Sequence, residues 1–117
     1  MKTSELTGVA LDWAVAKCEV ADVWIGFNHV MSGKCLYVSG PDEKECYTPS
    51  TGWSQGGPII ERECIFIAPT WDGEVAGSSA RASRTAWIEG PTPLIAAMRC
   101  YVASKLGDNV DIPPELI

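Results

Sequence analysis

The chain has 117 residues, of which 46% are hydrophobic and 21% charged, and its net charge is −6. This length and composition predict one globular domain, residues 1–117, with a substantial core, and they exclude an intrinsically disordered chain. The negative charge and the scattered lysines and arginines argue against binding to a nucleic-acid polymer, because such a surface needs a positive field to displace counterions.

The sequence also limits the compartment and the metal chemistry. No apolar run approaches the roughly 18 residues of a membrane span, and the acidic Glu5 near the start does not fit a signal peptide, so we expect no membrane partner. The five cysteines have no C-x-x-C spacing, and the single histidine is His29. We therefore expect reduced thiols in a cytosol and no metal site, a zinc site being the less favoured alternative. The cysteines are Cys18, Cys35, Cys46, Cys64 and Cys100.

The first predicted element is a helix over residues 4–19. Its core side is predicted from apolar residues at helical spacing, which are Leu6, Ala10, Trp13 and Ala14. On the opposite side Glu5, Asp12 and Glu19 fall seven residues apart, and we interpret this acidic stripe as a solvated face.

Alternating residues follow this helix. The pattern predicts strands over residues 22–31 and 34–39, joined by a tight hairpin turn at Ser32-Gly33. His29 lies in the same row as Val23 and Ile25, where a lone histidine is more often structural than a ligand.

The middle of the chain is dominated by turn-forming residues. Residues 40–58 are rich in glycine and proline and are predicted to be loop, and Pro58 with the acids after it predicts a short helix over residues 57–63. Three further strands are predicted at residues 64–67, 74–76 and 85–88. Between the last two, residues 77–84 are small, polar and basic, and we expect a mobile loop.

The last helix has the strongest local signals. It is predicted over residues 92–106, with Thr92 as N-cap, Pro93 at the first position and Gly107 after the end. One face is apolar and the other carries Ala96, Cys100 and Ala103, so both should be covered, the second by the first helix or by another subunit. We expect a homo-oligomer, a dimer through this face or the first helix. Residues 108–117 are expected to form an extended tail.

These elements predict an α+β domain, in which a mostly antiparallel sheet packs with two main helices and one short helix. The sequence contains none of the common nucleophile, phosphate-loop or metalloprotease motifs. Glu61 and Glu63 are two residues apart on a predicted helix and so do not face each other. We predict no catalytic residue and no cofactor, and we expect a protein that is not an enzyme.

Three long stretches resemble the NinX family of lambdoid phages. They are MKTSELTG running into ALDWAVA (residues 1–16), YTPSTGWSQGGPIIERE (residues 47–63), and GPTPLIAAMR continuing to KLGD (residues 90–108). The three stretches span 52 of the 117 residues, and residues 20–45 and 70–88 match only loosely. It implies a phage origin and a location in the cytoplasm of an infected host bacterium, and it implies no catalytic residues.

A candidate ligand site lies in the second of these stretches. Aromatic rings in it suit stacking of a base, hydroxyl and amide groups suit hydrogen bonds, glycines and helix starts offer backbone N–H groups, and an arginine suits phosphate. The residues are Tyr47, Ser50, Thr51, Trp53, Gln55, Gly56, Gly57, Arg62 and Thr92. The alternative is a structural Ω-type loop that folds over its own Trp53 and binds nothing.

Three functions remain open on this sequence. The first is a binding module for a small phosphate-bearing ligand, such as one that sequesters a nucleotide signal of host defence. The second is a protein–protein adaptor or inhibitor, for which the acidic first helix and the two-faced last helix would serve. The third is a small nucleotide hydrolase.

Overall fold

A computed structural model describes residues 1–19, 23–28, 33–38, 47–71, 76–82 and 86–116. The helices in these ranges are α1 (Gly8–Glu19), α2 (Trp53–Glu63) and α3 (Pro93–Leu106), with 3-10 turns at Thr3–Glu5 and Pro114–Leu116. The strands are β1 (Val23–Asn28), β2 (Gly33–Val38), β3 (Phe66–Trp71), β4 (Ala76–Arg81) and β5 (Ile88–Gly90). These elements confirm the predicted α+β class. No helix in the described ranges has the length and apolar character needed to cross a bilayer.

Helix α3 is the centre of the core and is packed against α1, α2 and the strands β3, β4 and β5. Its predicted ends are confirmed: Thr92 Oγ1 accepts the Ile95 N–H at 3.1 Å, Pro93 opens the helix, and Gly107 ends it with φ +85°. On the face predicted for a partner, Ala96 and Cys100 are fully buried by the chain itself, and Ala103 is partly exposed. These two residues are therefore not available to a second subunit, and the homodimer stays a prediction that needs another surface.

Helix α1 begins later than predicted, because a 3-10 turn over Thr3–Glu5 comes before it and Gly8 adopts φ +56°. Leu6 and Leu11 are fully buried, as expected for the core side. The prediction of a solvated acidic face is wrong for its central residue, since Asp12 is only 4% exposed. The reason is that α1 is buried around most of its circumference, and Glu5 is not part of the same helix.

The strands form two separate antiparallel sheets. Strands β1 and β2 pair from Val23 opposite Val38 to Asn28 opposite Gly33, which confirms that the two predicted strands form a hairpin. The predicted turn at Ser32-Gly33 is wrong for Gly33, which is the first residue of β2. His29 and Ser32 lie outside the described residues. The second sheet has the order β3-β4-β5, with Ile67 opposite Ala80.

Strand β4 corrects the prediction of a mobile loop over residues 77–84. Residues 77–81 are strand, and Ser78, Ser79 and Ala80 are buried. Small side chains are needed here because α3 packs closely on the sheet, so a composition typical of loops belongs to a central strand. Residues 83–85 lie outside the described ranges.

Other predicted boundaries shift by a few residues. Helix α2 begins four residues before the predicted helix at 57–63, so Pro58 lies inside it and not at its start. Strand β3 extends beyond the predicted strand at 64–67, and β5 begins at the end of the one predicted at 85–88.

The segment after α3 is anchored to the start of the chain. The Thr3 N–H donates to Asp108 O at 2.8 Å, and the Val110 N–H donates to Met1 O at 2.9 Å. The predicted extended tail is thus paired with residues 1–3 at first and then turns into the 3-10 helix, in which Leu116 is buried.

Candidate functional site

A shallow cleft of about 200 Å³ lies between the turn that precedes α2 and the first turn of α3. It is lined by Ser50, Thr51, Trp53, Thr92, Pro93, Leu94 and Ile95. Four of the predicted site residues therefore come together here, namely Ser50, Thr51, Trp53 and Thr92. We call this feature the Trp53 cleft.

The two helix starts give the Trp53 cleft its shape and its polarity. Trp53 is the first residue of α2 and is 56% exposed, so its ring is accessible for stacking. At the start of α3, Thr92 already caps the Ile95 N–H and Pro93 has no N–H. Among the described groups the Leu94 N–H has no acceptor, so it can donate to a ligand. With this single donor, the helix start can hold an anion only weakly.

The turn at residues 48–51 is held by side chains from other elements. The Thr48 N–H donates to Gln55 Oε1 at 2.6 Å, and the Ser50 N–H donates to Asp12 Oδ1 at 2.8 Å. Gln55, which we predicted as a ligand partner, thus uses its carbonyl oxygen to fix the turn. Asp12 was missed as a part of the site.

Ser50 and Asp12 form a buried polar pair beneath the Trp53 cleft. Burial raises the pKa of the Asp12 carboxyl to about 6, although the nearby Ser50 hydroxyl and the Ser50 N–H favour its charged form. The hydroxyl does not meet hydrogen-bond geometry, so Ser50 Oγ is buried without a hydrogen-bond partner among the described residues. A buried hydroxyl in this state has donor and acceptor capacity that a ligand group or a water could satisfy.

The two predicted glycines have different surroundings. A Cβ on Gly56 would lie 2.6 Å from Leu94 Cδ1 and closer still to Pro49 O, so the absence of a side chain lets α2 approach both. A Cβ on Gly57 would meet nothing within 4 Å. Neither glycine lines the Trp53 cleft.

Arg62 lies near the opposite end of α2, nine residues and about 13 Å along the helix axis from Trp53. Its Nη2 donates to Glu19 Oε1 at 2.6 Å and to the Tyr101 hydroxyl at 3.2 Å, and its Nε donates to Glu63 Oε2 at 3.2 Å. These contacts tie α2 to α1 and α3. Arg62 therefore does not supply the phosphate contact that we predicted for the cleft.

Tyr47 also lies away from the Trp53 cleft. Its ring is half-buried against the core, and its phenol pKa is raised, mainly by burial and then by the nearby charge of Glu19. Within the described ranges, no three histidine, cysteine, aspartate or glutamate side chains are grouped closely enough to hold a metal ion.

Together the fold and the cleft define a small α+β domain with a candidate binding cleft at two helix starts. The family described as bacteriophage P22 NinX matches residues 2–105, and the chain therefore belongs to the NinX family of phage proteins. The matched range includes every residue of the Trp53 cleft, and it confirms the resemblance seen in the sequence. A search of curated proteins found no match to the chain.

Proposed function

We propose that this phage protein is a non-enzymatic binding module, and that the Trp53 cleft holds a small ligand with a flat ring, of which nucleosides and nucleotides are the best-fitting class. The observation that carries the proposal is an exposed tryptophan beside a buried serine hydroxyl, which lies near Asp12 but forms no hydrogen bond of standard geometry with a described residue. A base ring would stack on Trp53 while one of its polar groups bonds to Ser50.

The ring is expected to supply most of the affinity, and a phosphate group little. Among the described residues no arginine or lysine lines the Trp53 cleft, and Arg62 is held by Glu19 and Glu63 at the far end of α2. The start of α3 offers a favourable dipole and the Leu94 N–H, so a phosphate would be tolerated there.

In an infected bacterium such a module would sequester a nucleotide signal, including one used in host defence. The hydrolase alternative has no support from the cleft, since none of its lining residues is a carboxylate, histidine or cysteine that would act as a general base.

Calorimetry with adenosine, AMP and a panel of cyclic nucleotides tests the proposal. Stacking of one base contributes about 1 to 3 kcal/mol, so Trp53→Ala should weaken binding of the best probe by roughly ten- to a hundredfold. Adenosine and AMP should bind with similar affinity, because the cleft has no described cation.

Two variants serve as controls. Trp87→Ala removes another half-exposed tryptophan, which lines a different cavity, and Arg62→Ala removes the cation that pairs with Glu19 and Glu63. Both should bind the probe as the unaltered protein does. If no probe binds, or if Trp53→Ala simply unfolds the protein in a melting experiment, the segment around Trp53 is a structural loop and the proposal fails.

A further inference from the structure

A second aromatic surface lies on the sheet, away from the Trp53 cleft. In the antiparallel register Phe66 is opposite Arg81 and Ile67 is opposite Ala80. Ile67 and Ala80 pack into the core, and successive side chains of a strand point to opposite faces, so Phe66 and Arg81 lie on the outer face. With Ala82 and Trp87 they line a cavity of about 320 Å³.

The side chains of this surface are unusually accessible. Phe66 is 68% exposed, Trp87 is 50% exposed, and Arg81 is also exposed. Large aromatic residues and arginine are the residue types most enriched at the energetic centres of protein interfaces. We call these three residues the Phe66–Arg81–Trp87 surface.

The charge of this surface indicates what it would contact. Arg62 is paired with carboxylates and Arg99 donates to buried carbonyl oxygens, whereas Arg81 has no ion pair among the described residues. Its guanidinium can therefore donate two hydrogen bonds to one carboxylate, in a cavity that two aromatic side chains also line.

We propose that the Phe66–Arg81–Trp87 surface docks a segment of another protein, which places one carboxylate against Arg81 and a large apolar side chain between the two rings. A single carboxylate needs only one guanidinium. A nucleic acid would need several cations for its phosphates, and this surface offers one described cation on a chain of net charge −6.

Selection of short random peptides on the full chain tests the inference. Enriched peptides should pair aspartate or glutamate with an aromatic or large aliphatic residue. For the best synthetic peptide, Trp87→Ala and Arg81→Glu should each weaken binding about tenfold or more, and Trp53→Ala, the matched tryptophan control, should not. Selection repeated on Arg81→Glu should now enrich lysine and arginine.

The charge reversal keeps the test decisive if Trp87→Ala fails to fold, because Arg81 is exposed and its exchange removes no buried contact. The proposal is overturned if no peptide is enriched, if enriched peptides lack acids, or if Arg81→Glu leaves their binding unchanged. A dimer in light scattering that Arg81→Glu dissociates would assign the surface to a second copy of the chain. Binding of a single-stranded oligonucleotide that Arg81→Glu abolishes would assign it to nucleic acid, and either result overturns the proposal.

Discussion

At the scale of single residues, the buried carboxylate of Asp12 makes stability depend on pH. It is 4% exposed and receives one backbone N–H, from Ser50. Desolvation raises its pKa from 3.8 to about 6, so between these values the folded protein holds a proton that the unfolded chain has lost. The contribution of Asp12 to stability therefore falls as the pH rises through this range, and it stays low above it.

Asp12→Asn should remove this dependence, because the amide keeps an acceptor oxygen for the Ser50 N–H and carries no charge. Relative to the unaltered protein, the free energy of unfolding of the variant should increase by about 2 to 3 kcal/mol between about pH 4 and pH 7. Urea unfolding over this range measures the difference. Glu5→Gln, at an exposed carboxylate, is the control and should keep the pH dependence of the unaltered protein. The prediction is contradicted if the free energy of unfolding of Asp12→Asn changes with pH in parallel with that of the unaltered protein.

Another residue without a sequence signal is Arg99, which is 9% exposed. Its Nε donates to Leu6 O at 2.7 Å and its Nη1 donates to Glu89 O at 2.8 Å, so one side chain joins α3 to the start of the chain and to β5. Burial lowers the pKa of this guanidinium. Its role is to satisfy carbonyl oxygens that would otherwise be buried without a donor.

At the scale of elements, two adjacent glycines in α2 form a natural pair for measuring how closely α2 and α3 pack. Gly56→Ala should lower the free energy of unfolding by about 1 to 2 kcal/mol, because its Cβ would overlap Pro49 O and Leu94 Cδ1. Gly57→Ala should raise it by about 0.5 to 1 kcal/mol, because its Cβ meets nothing and alanine favours a helix.

Thermal and urea unfolding of the two variants measure these opposite effects. Equal stability gains for both would mean that the contact at Gly56 relaxes without cost, and that α2 does not depend on close approach to α3.

Local signals explain which elements were predictable. The cap, the first-turn proline and the final glycine of α3 act within a few residues, so its bounds followed from the sequence. Strand β4 could not be predicted from the sequence, because its small residues suit the close contact with α3 and have low strand propensity. Of the site, Trp53, Thr51 and Ser50 were found because their side chains suit stacking and hydrogen bonding, and Thr92 because it caps a predicted helix start. Arg62 was misplaced, because nothing local shows that Glu19 lies beside it.

At the scale of the whole molecule, burial should rank the reactivity of the cysteines. Cys64 is exposed, burial and the neighbouring Glu19 raise the pKa of the Cys18 thiol to about 11, and Cys100 is buried. Alkylation of the native protein should therefore modify Cys64 well before the other two, as followed by mass spectrometry. Cys46 and the side chain of Cys35 lie outside the described set.

Under denaturing, non-reducing conditions all five cysteines should react, in agreement with a reducing compartment. The described cysteines form no disulfide. A count of one or three thiols per chain would show disulfides and contradict the prediction.

The central place of α3 has a consequence for the order of events during synthesis. The ribosome makes α1, α2 and all five strands before α3, yet α1, α2 and the three-stranded sheet bury their apolar sides against it. Until α3 emerges, Leu11, Val15 and Ala80 lack the helix around which the core is built, although the strands of both sheets have already been made and can pair. The nascent chain therefore exposes apolar, aggregation-prone segments for most of its translation. The core can form only after α3, a late helix, has been synthesised.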